Sequence, residues 1–354
     1  MRLVFLSNAN SLHLREWAEY FKHELGHDVT VLTIPPLEKP YRGVEVVKLG
    51  RGLTERKPFW PLLVPRIRRE VRARQADLFI AYRVVSYGFL ASLTRLRPLV
   101  LAAQGGDMVW PPDDKVGQFC VRYAVRRADR LNAWSDNIRD EMRRFGADPA
   151  KIVVLSRGID LTQFPRVADK PAAPPTIAMT RSLLPSYNVT QLVAAMPHVL
   201  ARVPDAVCEI AGDGPLRPAL EAQAVATGCA ASVRFLGRVS REEIVRLVER
   251  AHVYASTTIT DGLPLSHFEA MAAGAVPVCT DIGANRLWIR DGENGFLAPV
   301  GDPATLGEKL ARALSDAAFR ARASAANRAM VERDHDRRVN LQRMSDDWEA
   351  LVRP

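Results

Sequence analysis

Short apolar runs alternate with amphipathic stretches along the whole chain, and this alternation predicts parallel β-strands joined by helices. In the first half, the predicted strands are residues 2–6, 29–32, 44–49, 78–81, 99–102, 131–133 and 152–155. The pattern restarts after residue 175, with predicted strands at residues 176–179, 207–211, 233–236, 253–255 and 276–279. Helical stretches separate most of these runs, which favours parallel sheets covered by helices on both faces. We therefore expect an α/β protein with two doubly wound, Rossmann-like domains.

A proline-rich stretch at residues 167–176, VADKPAAPPT, has the composition of a linker. We place the first domain at residues 1–168 and the second at residues 169–336. Residues 337–354 form an amphipathic stretch, which we expect to be a helix that packs back on the first domain. Two such domains would face a central cleft lined by the carboxyl ends of the strands, where ligands bind in sheets of this kind.

Residues 251–279 contain the most informative pattern of the chain, a buried strand, a polar loop, a short helix and a second buried strand. Asp261 and Glu269 lie eight residues apart on either side of the predicted helix start, and Gly274 ends the helix. A helix that starts directly after a strand presents free N–H groups and a positive dipole end, which suit a phosphate. The two carboxylates would then hold hydroxyl groups beside it. Phosphate and polyol together point to a sugar nucleotide.

The composition, with 47% hydrophobic and 25% charged residues, is that of a globular protein, and the net charge of +9 favours anionic partners. The four cysteines show no C-x-x-C spacing, and Cys120, Cys208 and Cys279 lie in apolar stretches, so we expect buried thiols in a reducing compartment. The apolar run at residues 2–6 is too short for a signal peptide, and no apolar run has the length of a membrane span. We therefore predict a cytoplasmic protein.

Three common motifs of catalysis and nucleotide binding are missing from the sequence. It contains no G-x-G-x-x-G, no P-loop G-x-x-x-x-G-K-[ST] and no H-E-x-x-H. A dinucleotide fingerprint, a P-loop nucleotidase and a zinc protease of that type are therefore not supported.

Six stretches of the chain carry motifs that can be compared with known families. They are GHDV at 26–29, GID with a following Phe at 158–164, EIAGDGPL at 209–216, FLG at 235–237, the paired acids DGLPLSHFEAMAAG at 261–274, and DGENGFL with GDP at 291–303. In this order they resemble the retaining nucleotide-sugar glycosyltransferases of family 4, and the paired acids resemble the E-x7-E block of that family, with Asp at the first acidic position. The resemblance implies the two-Rossmann-domain fold called glycosyltransferase B.

The resemblance also implies roles for the residues of the paired-acid block. Glu269 would hold the nucleotide ribose through its hydroxyl groups. Asp261 would bind hydroxyls of the donor sugar and stabilise positive charge at the anomeric carbon. Backbone N–H groups of Leu265 and Ser266 would bind the diphosphate, and Arg181 would add a fixed positive charge. Each side chain also has an ordinary interpretation: Glu269 as an acid in a first helical turn, Asp261 as a turn residue and Arg181 as a surface arginine.

Glycines near other predicted strand ends complete the implied donor site. Gly214 belongs to the G-x-G-P turn, and Gly237 to the segment that contacts the base. Gly105 and Gly106 allow close backbone approach after a buried strand of the first domain, although a plain turn explains them as well. Asp107 follows them and is assigned to the sugar or the acceptor.

Two positions depart from the family pattern. Many members have a lysine five residues after the arginine that binds the diphosphate, and here that position is Ser186. A first-domain histidine of the family is replaced by Gln104. These changes leave open whether activity is altered or lost. No metal site and no cofactor are implied, because arginine, amides and the helix dipole meet the diphosphate charge.

Residues 57–74, KPFWPLLVPRIRREVRAR, combine apolar and aromatic side chains with six basic ones. One hypothesis is that this segment rests on an anionic membrane and presents a lipid-linked acceptor. A solvated helix with a stripe facing the core explains the pattern equally well. Nucleic acid is disfavoured as a partner, because the basic charge is dispersed and no motif of stacking aromatic residues accompanies it.

The sequence therefore predicts a retaining, metal-independent glycosyltransferase. It would move a hexose from a UDP- or GDP-linked sugar to a glycan or lipid-linked acceptor in cell-envelope or polysaccharide biosynthesis. Two alternatives remain open, a nucleotide-sugar epimerase on the same fold and a non-catalytic assembly protein that shares the fold. The nucleotide base, the sugar, the acceptor and the oligomeric state are not specified by the sequence.

Overall fold

The computed structural model describes residues 1–103, 105, 108, 114–167, 170 and 174–353. The chain divides into two compact units, residues 1–157 with 338–354, and residues 158–337. Each unit contains its own parallel β-sheet. The described residues of the proline-rich stretch, 167, 170 and 174–176, fall in the second unit, while residues 168, 169 and 171–173 lie outside the described part.

The first unit is a seven-stranded parallel sheet with helices between the strands. Its strands are β1 (Arg2–Leu6), β2 (Asp28–Thr33), β3 (Glu45–Lys48), β4 (Leu78–Tyr82), β5 (Leu99–Ala103), β6 (Arg130–Ala133) and β7 (Ile152–Val154). The sheet order is β3-β2-β1-β4-β5-β6-β7. The helices are α1 (Leu12–His23), α2 (Val64–Ala73), α3 (Phe89–Leu93), α4 (Lys115–Arg127) and α5 (Asp136–Arg144).

The second unit repeats this plan with six parallel strands. They are β8 (Thr176–Met179), β9 (Val207–Ala211), β10 (Val233–Gly237), β11 (Val253–Ser256), β12 (Val276–Thr280) and β13 (Phe296–Ala298). Its helices are α6 (Val189–Leu200), α7 (Arg217–Ala226), α8 (Arg241–Arg250), α9 (Leu265–Ala272), α10 (Gly283–Arg286), α11 (Pro303–Ser315) and α12 (Ala317–Asp334). The order β10-β9-β8-β11-β12-β13 reverses direction between β8 and β11. Ligands of doubly wound sheets bind at such a reversal.

The central strands are apolar because helices cover both faces of each sheet. Every residue of β4, β5, β11 and β12 is buried. The predicted strands therefore correspond to real ones, and the α/β fold class is confirmed.

The last helix, α13 (Arg337–Val352), lies almost wholly in the first unit. Trp348 is fully buried there, and its ring stacks on Phe21 at a centroid distance of 4.9 Å. His27 Nε2 lies 2.7 Å from Ser345 Oγ on the same helix. Aromatic packing and a buried polar contact thus fix α13 against β1 and α1.

Two details differ from the sequence-based expectation. The helix of the paired-acid block starts at Leu265, so Glu269 lies in its second turn and no acid lies in its first turn. This removes the interpretation of Glu269 as an acid that complements the helix dipole.

The second difference concerns the cysteines. Cys208, Cys229 and Cys279 are buried free thiols, whereas Cys120 is only half-buried. Within the described residues, none of the helices combines the length and apolarity needed to cross a bilayer.

Candidate active site

The candidate site lies in the second unit, at the carboxyl ends of two neighbouring strands. Strands β8 and β11 pair in parallel, with Ile177 opposite Val253. Arg181 comes two residues after β8, and Asp261 follows β11 in the loop that leads into α9. Parallel strands that end at one edge bring their following loops together. The reversal of strand order between β8 and β11 is therefore the position at which these two side chains meet.

Arg181 and Asp261 form an ion pair through the guanidinium Nη2 and the carboxylate Oδ2. The two side chains are only 14% and 17% exposed, so water screens the pair weakly. Burial disfavours the charged guanidinium, but the Asp261 carboxylate, together with Tyr254 and Tyr187, raises the pKa of Arg181. Arg181 is therefore a fixed positive charge in a partly closed site, which is not the surface arginine of the ordinary interpretation.

The ring of Tyr187 completes the surroundings of the guanidinium, whose carbon lies 5.0 Å from the ring centroid. Tyr187 belongs to a short 3₁₀ turn, Pro185–Tyr187, which includes Ser186 at the position of the family's lysine. The Ser186 carbonyl accepts hydrogen bonds from the Ile259 amide at 3.0 Å and the Thr258 hydroxyl at 3.1 Å. The serine thus joins two loops of the site through its backbone, while an aromatic ring contacts the arginine.

Gly214 supports the Arg181 loop through close backbone packing. A Cβ at Gly214 would lie 2.5 Å from the carbonyl oxygen of Leu183, so no other residue fits without a shift of the backbone. The Leu183 amide donates to the Asp213 carbonyl at 3.0 Å. The turn after β9 therefore fixes the loop that carries Arg181. A direct contact of Gly214 with the donor stays a prediction.

Gly237, at the end of β10, has a left-handed backbone with φ of +71°. A Cβ there would lie 3.0 Å from Nη1 of Arg217, whose Nη2 donates to the Phe235 carbonyl at 3.1 Å. The conformation explains why glycine occupies this position. Its predicted contact with the donor likewise stays a prediction.

The start of α9 presents the backbone groups that were predicted to bind phosphate. The helix begins at Leu265, directly after Pro264. The Leu265 amide donates to the Leu263 carbonyl at 3.0 Å. This amide would have to exchange that bond for one to a ligand. Ser266 is the second residue of the helix, and its predicted role is not otherwise tested by the geometry.

Glu269 lies deep in the site and has a partner that the sequence did not indicate. Its side chain is 11% exposed, and its Oε1 forms an ion pair with Arg241 Nη1 at 2.8 Å. Arg241 is the first residue of α8, and its guanidinium lies 4.6 Å from the ring centroid of Phe164. Its Nε donates to Gln163 Oε1 at 3.1 Å. Because Arg241 and Gln163 come from distant segments, no local spacing predicts this cluster.

A second buried cluster lies under Arg181. Tyr254, in β11, places its hydroxyl 2.9 Å from Thr180 Oγ1, and its ring contacts that of His267 edge to face at 5.4 Å. His267 is 1% exposed, and neither ring nitrogen has a hydrogen-bond partner among the residues that the structure describes. Burial, with a further effect from the Arg181 charge, lowers the pKa of His267 well below its ordinary value. The imidazole is therefore neutral next to the arginine.

The first-domain residues of the predicted site are only partly described. Gly105 follows β5 and is buried, and its carbonyl accepts from the Met108 amide at 2.7 Å. Gln104, Gly106 and Asp107 lie outside the described residues. Within the described part of the chain, no group of three or more His, Cys, Asp or Glu side chains is arranged to hold a metal ion.

Two protein-family models match consecutive parts of the chain. The model described as Glycosyltransferase Family 4 matches residues 11–163, and the model described as Glycosyl transferases group 1 matches residues 162–330. The boundary between the matches falls next to the boundary between the two compact units. Arg181, Asp261, Glu269 and Arg241 all lie within the second match.

Curated relatives have glycosyltransferase names. A phosphatidyl-myo-inositol mannosyltransferase of Mycobacterium tuberculosis is 32% identical over 227 residues, which are 62% of this chain and 55% of that protein. A glycogen synthase of the same species is 28% identical over 216 residues, 60% of this chain and 52% of that protein. The chain thus spans about half the length of the curated relatives that it matches.

Solved structures share the fold over the whole chain. Sucrose-phosphate synthase from Thermosynechococcus elongatus superposes with a TM-score of 0.84 at 17% identity, covering 99% of each chain. HepE from Anabaena, solved in complex with UDP-glucose, gives a TM-score of 0.80 at 19% identity, covering 99% of this chain and 100% of that one. With both domains matched by sequence and the fold matched throughout, the chain belongs to the family-4 glycosyltransferases and has the glycosyltransferase B fold of two Rossmann-like domains.

Proposed function

We propose that the protein is a retaining, metal-independent glycosyltransferase that takes a hexose from a UDP- or GDP-linked sugar. The observation that carries this proposal is the convergence of Arg181, Asp261 and the start of α9 at the strand reversal of the second sheet. The acceptor is a glycan or a lipid-linked sugar in cell-envelope or polysaccharide biosynthesis. The complex of HepE with UDP-glucose and the mannosyltransferase name of a relative support a nucleotide sugar as donor.

The leaving diphosphate carries the charge that the site has to stabilise. When the bond between the anomeric carbon of the donor sugar and the diphosphate breaks, negative charge grows on the diphosphate oxygen. Arg181 supplies a positive charge held in place by Asp261 and Tyr187, and the start of α9 supplies amides and the helix dipole. Such preorganised groups stabilise a developing anion more than water does. They can meet the diphosphate charge without a divalent ion, which is the basis for proposing a metal-independent enzyme.

The two carboxylates divide the recognition of hydroxyl groups between them. Glu269 binds the ribose, and Asp261 binds the donor sugar and stabilises positive charge at the anomeric carbon. Asp261 already forms an ion pair with Arg181, so one of its oxygens is oriented before the donor arrives. Retention then proceeds by attack on the face from which the diphosphate leaves, with no protein nucleophile. The pair is therefore not the acid and nucleophile of a glycosidase.

The test of this function is incubation with a panel of UDP-, GDP- and ADP-linked hexoses, followed by nuclear magnetic resonance. A glycosyltransferase releases the free nucleoside diphosphate slowly in water, and faster when an acceptor is added. An epimerase would invert the sugar while the donor stays intact. Binding without any reaction would identify an assembly protein. Either of the last two results would overturn the proposal.

The surface of residues 51–73 supports a second part of the proposal, peripheral contact with an anionic membrane. In α2 the apolar stripe of Ile67 and Val71 is buried, so this stripe belongs to the core. The preceding 3₁₀ turns instead expose Leu53 and Leu62, with 62% and 67% of their surface accessible. Phe59 is 36% exposed beside them. The exposed apolar side chains therefore lie in the 3₁₀ turns before α2. A helix that is simply solvated on one face would not need them there.

The basic side chains of this surface fall into two groups. Arg66 and Arg68 are held by the protein itself, through the Leu49 and Thr94 carbonyls. The remaining basic residues are Arg51, Arg56, Lys57, Arg69 and Arg72. Residues 51–73 contain seven basic and two acidic residues, so this short segment carries more than half of the net charge of +9. Exposed apolar groups among basic ones suit the inner face of a membrane with acidic lipids.

Flotation with vesicles tests the membrane contact. We expect the protein to bind phosphatidylglycerol vesicles at low salt, to bind phosphatidylcholine vesicles poorly, and to lose binding when Leu62 is changed to Asp. Val225→Asp is the matched control, because Val225 is 69% exposed in the second unit. Equal binding of the two vesicle types, or equal loss in both variants, would contradict the contact.

A further inference from the structure

Arg241 is held in one orientation by three groups from outside its own helix. Its guanidinium lies over the Phe164 ring, its Nε donates to Gln163, and its Nη1 pairs with Glu269. Phe164 is fully buried and therefore forms a rigid support for the guanidinium. A planar guanidinium that stacks on one side and binds acceptors along its edge has little freedom left.

The start of α8 is itself fixed by a capping box. The Ser240 hydroxyl accepts from the Glu243 amide at 3.2 Å, and the Glu243 carboxylate accepts from the Ser240 amide at 2.7 Å. Arg241 is the next residue after this cap, so its backbone position is determined by the box. The box thereby fixes the residue whose side chain pairs with Glu269.

This arrangement engages only one of the two carboxylate oxygens of Glu269. Oε1 is paired with Arg241, whereas Oε2 has no hydrogen-bond donor among the described residues. A ribose presents two neighbouring hydroxyl groups, and each can donate to a carboxylate oxygen, which has lone pairs for more than one donor. Because the carboxylate is already held in place, ligand binding does not carry the entropy cost of ordering this side chain.

We infer that Arg241 is a positioning residue that orients the Glu269 carboxylate to receive the 2′- and 3′-hydroxyls of the nucleotide ribose. This inference rests on the proposed function, since it takes Glu269 as the group that binds ribose. Gln163 and Phe164 are the residues that hold Arg241 in place for this role. Arg241 does not touch the reacting atoms, and its effect on the sugar transfer is indirect.

The experiment measures the binding of UDP, GDP and ADP and of their 2′,3′-dideoxy forms by calorimetry. Wild-type protein binds one of the diphosphates and binds its dideoxy form more weakly. Arg241→Met weakens binding of the full nucleotide about tenfold, and it changes binding of the dideoxy form by less than about twofold. Arg241→Lys should retain part of the preference for the full nucleotide over the dideoxy form. Lysine keeps the positive charge but lacks the planar guanidinium, whose Nε binds Gln163 in the wild type.

Two further variants separate positioning from general damage. Arg250→Met is the matched control, since Arg250 also lies in α8 and pairs with Glu209 at 2.7 Å, about 14 Å along the helix from Arg241. It should bind both nucleotide forms as the wild type does. Gln163→Leu leaves the Arg241–Glu269 pair intact but loosens the guanidinium, and it should give a smaller loss for the full nucleotide only. It also serves as the test if Arg241→Met fails to fold.

The possible failures differ from each other. If no nucleoside diphosphate binds the wild type, the proposed function is overturned and this inference with it. If the wild type binds full and dideoxy forms equally, the ribose role of Glu269 is wrong. If Arg241→Met and Gln163→Leu keep the full preference for the hydroxyl groups, the proposed function stands and the role of Arg241 is rejected.

Discussion

At the scale of single residues, the site consists of two arginine–carboxylate pairs at one edge of a sheet. Arg181 with Asp261 lies where the diphosphate and sugar are proposed to bind, and Arg241 with Glu269 lies where the ribose is proposed to bind. All four side chains are largely shielded from water, except for the outer part of Arg241. Each carboxylate is therefore oriented by an arginine before a ligand arrives.

Arg181→Met should reduce release of nucleoside diphosphate from the donor about 100-fold, because the charge that faces the leaving group is lost. The variant also removes the guanidinium that pairs with the shielded Asp261 carboxylate, so its folding has to be checked by circular dichroism. Arg181→Lys keeps the charge and should lose less. Arg202→Met, which breaks the exposed pair with Glu308, is the control and should turn over normally. Equal rates in Arg181→Met and wild type would contradict the role of Arg181.

Acid should destabilise the protein through its buried histidines. Burial lowers the pKa of His335 to about 4, so the folded state holds fewer protons there than the unfolded state between about pH 6.5 and pH 4. The contribution to stability is complete above pH 6.5 and is lost as the pH falls, up to about 3 kcal/mol. Urea unfolding at pH 7 and pH 5 measures it. His335→Phe keeps a ring against Phe268 and should reduce the loss of unfolding free energy between pH 7 and pH 5. The reduction should be partial, since the lowered pKa values of His267 and His27 act in the same direction. An unchanged loss would reject this account.

At the scale of elements, strand ends and turns place these residues. The Arg181 loop is locked against the turn after β9, where the backbone of Leu183 leaves no room for a side chain at Gly214. The Arg241 helix is locked by the capping box at Ser240. The capping box is local in sequence, whereas the packing of Gly214 against Leu183 joins the loops that follow two different strands, β9 and β8.

Gly214→Ala should destabilise the second unit by about 2 kcal/mol. It should also slow nucleotide release about tenfold, because the Arg181 loop has to shift. Gly283→Ala is the control, since a Cβ at Gly283 meets no atom within 4 Å and its backbone is not left-handed. Thermal unfolding and a release assay on both variants give the answer. If the two glycines tolerate alanine equally, the close packing of this turn is not important.

The sequence predicted strands, helices and the paired-acid block well because each rests on local patterning. Periodicity located β8 and β11 to within a residue or two, and it indicated a helix directly after a strand in the block that contains Asp261. It missed Arg241, which looks like any charged residue at the start of an amphipathic helix. Its contacts with Gln163 and Glu269 arise only when β10 and β11 take their places in the sheet. The buried His267 was missed for the same reason.

At the scale of the whole molecule, two sheets of the same plan are each stabilised by their own core. The first unit depends on a helix from the far end of the chain, since Trp348 of α13 packs against Phe5, Phe21 and Trp17. The second unit is formed by one continuous segment, whereas the first combines two segments that the second unit separates in the sequence. The aromatic core of the first unit therefore forms only once α13 is present.

Trp348→Ala should destabilise the first unit by about 4 kcal/mol, because it opens a cavity among aromatic rings. Val339→Ala, on the same helix but 39% exposed, should cost about 0.5 kcal/mol or less. Chemical unfolding followed by hydrogen exchange distinguishes the units, since exchange should rise in β1 and α1 while β8 and β11 stay protected. Uniform loss of protection in both sheets would contradict a separate core.

The central claim is that the second unit cleaves a nucleotide sugar with arginines, amides and carboxylates in place of a metal ion. Release of the nucleoside diphosphate from the preferred donor, measured in excess EDTA, tests it most directly. We predict release by the wild type at the same rate with and without EDTA, and a loss of at least about 100-fold in Glu269→Ala. Release that stops in EDTA, or that continues unchanged in Glu269→Ala, would contradict the claim.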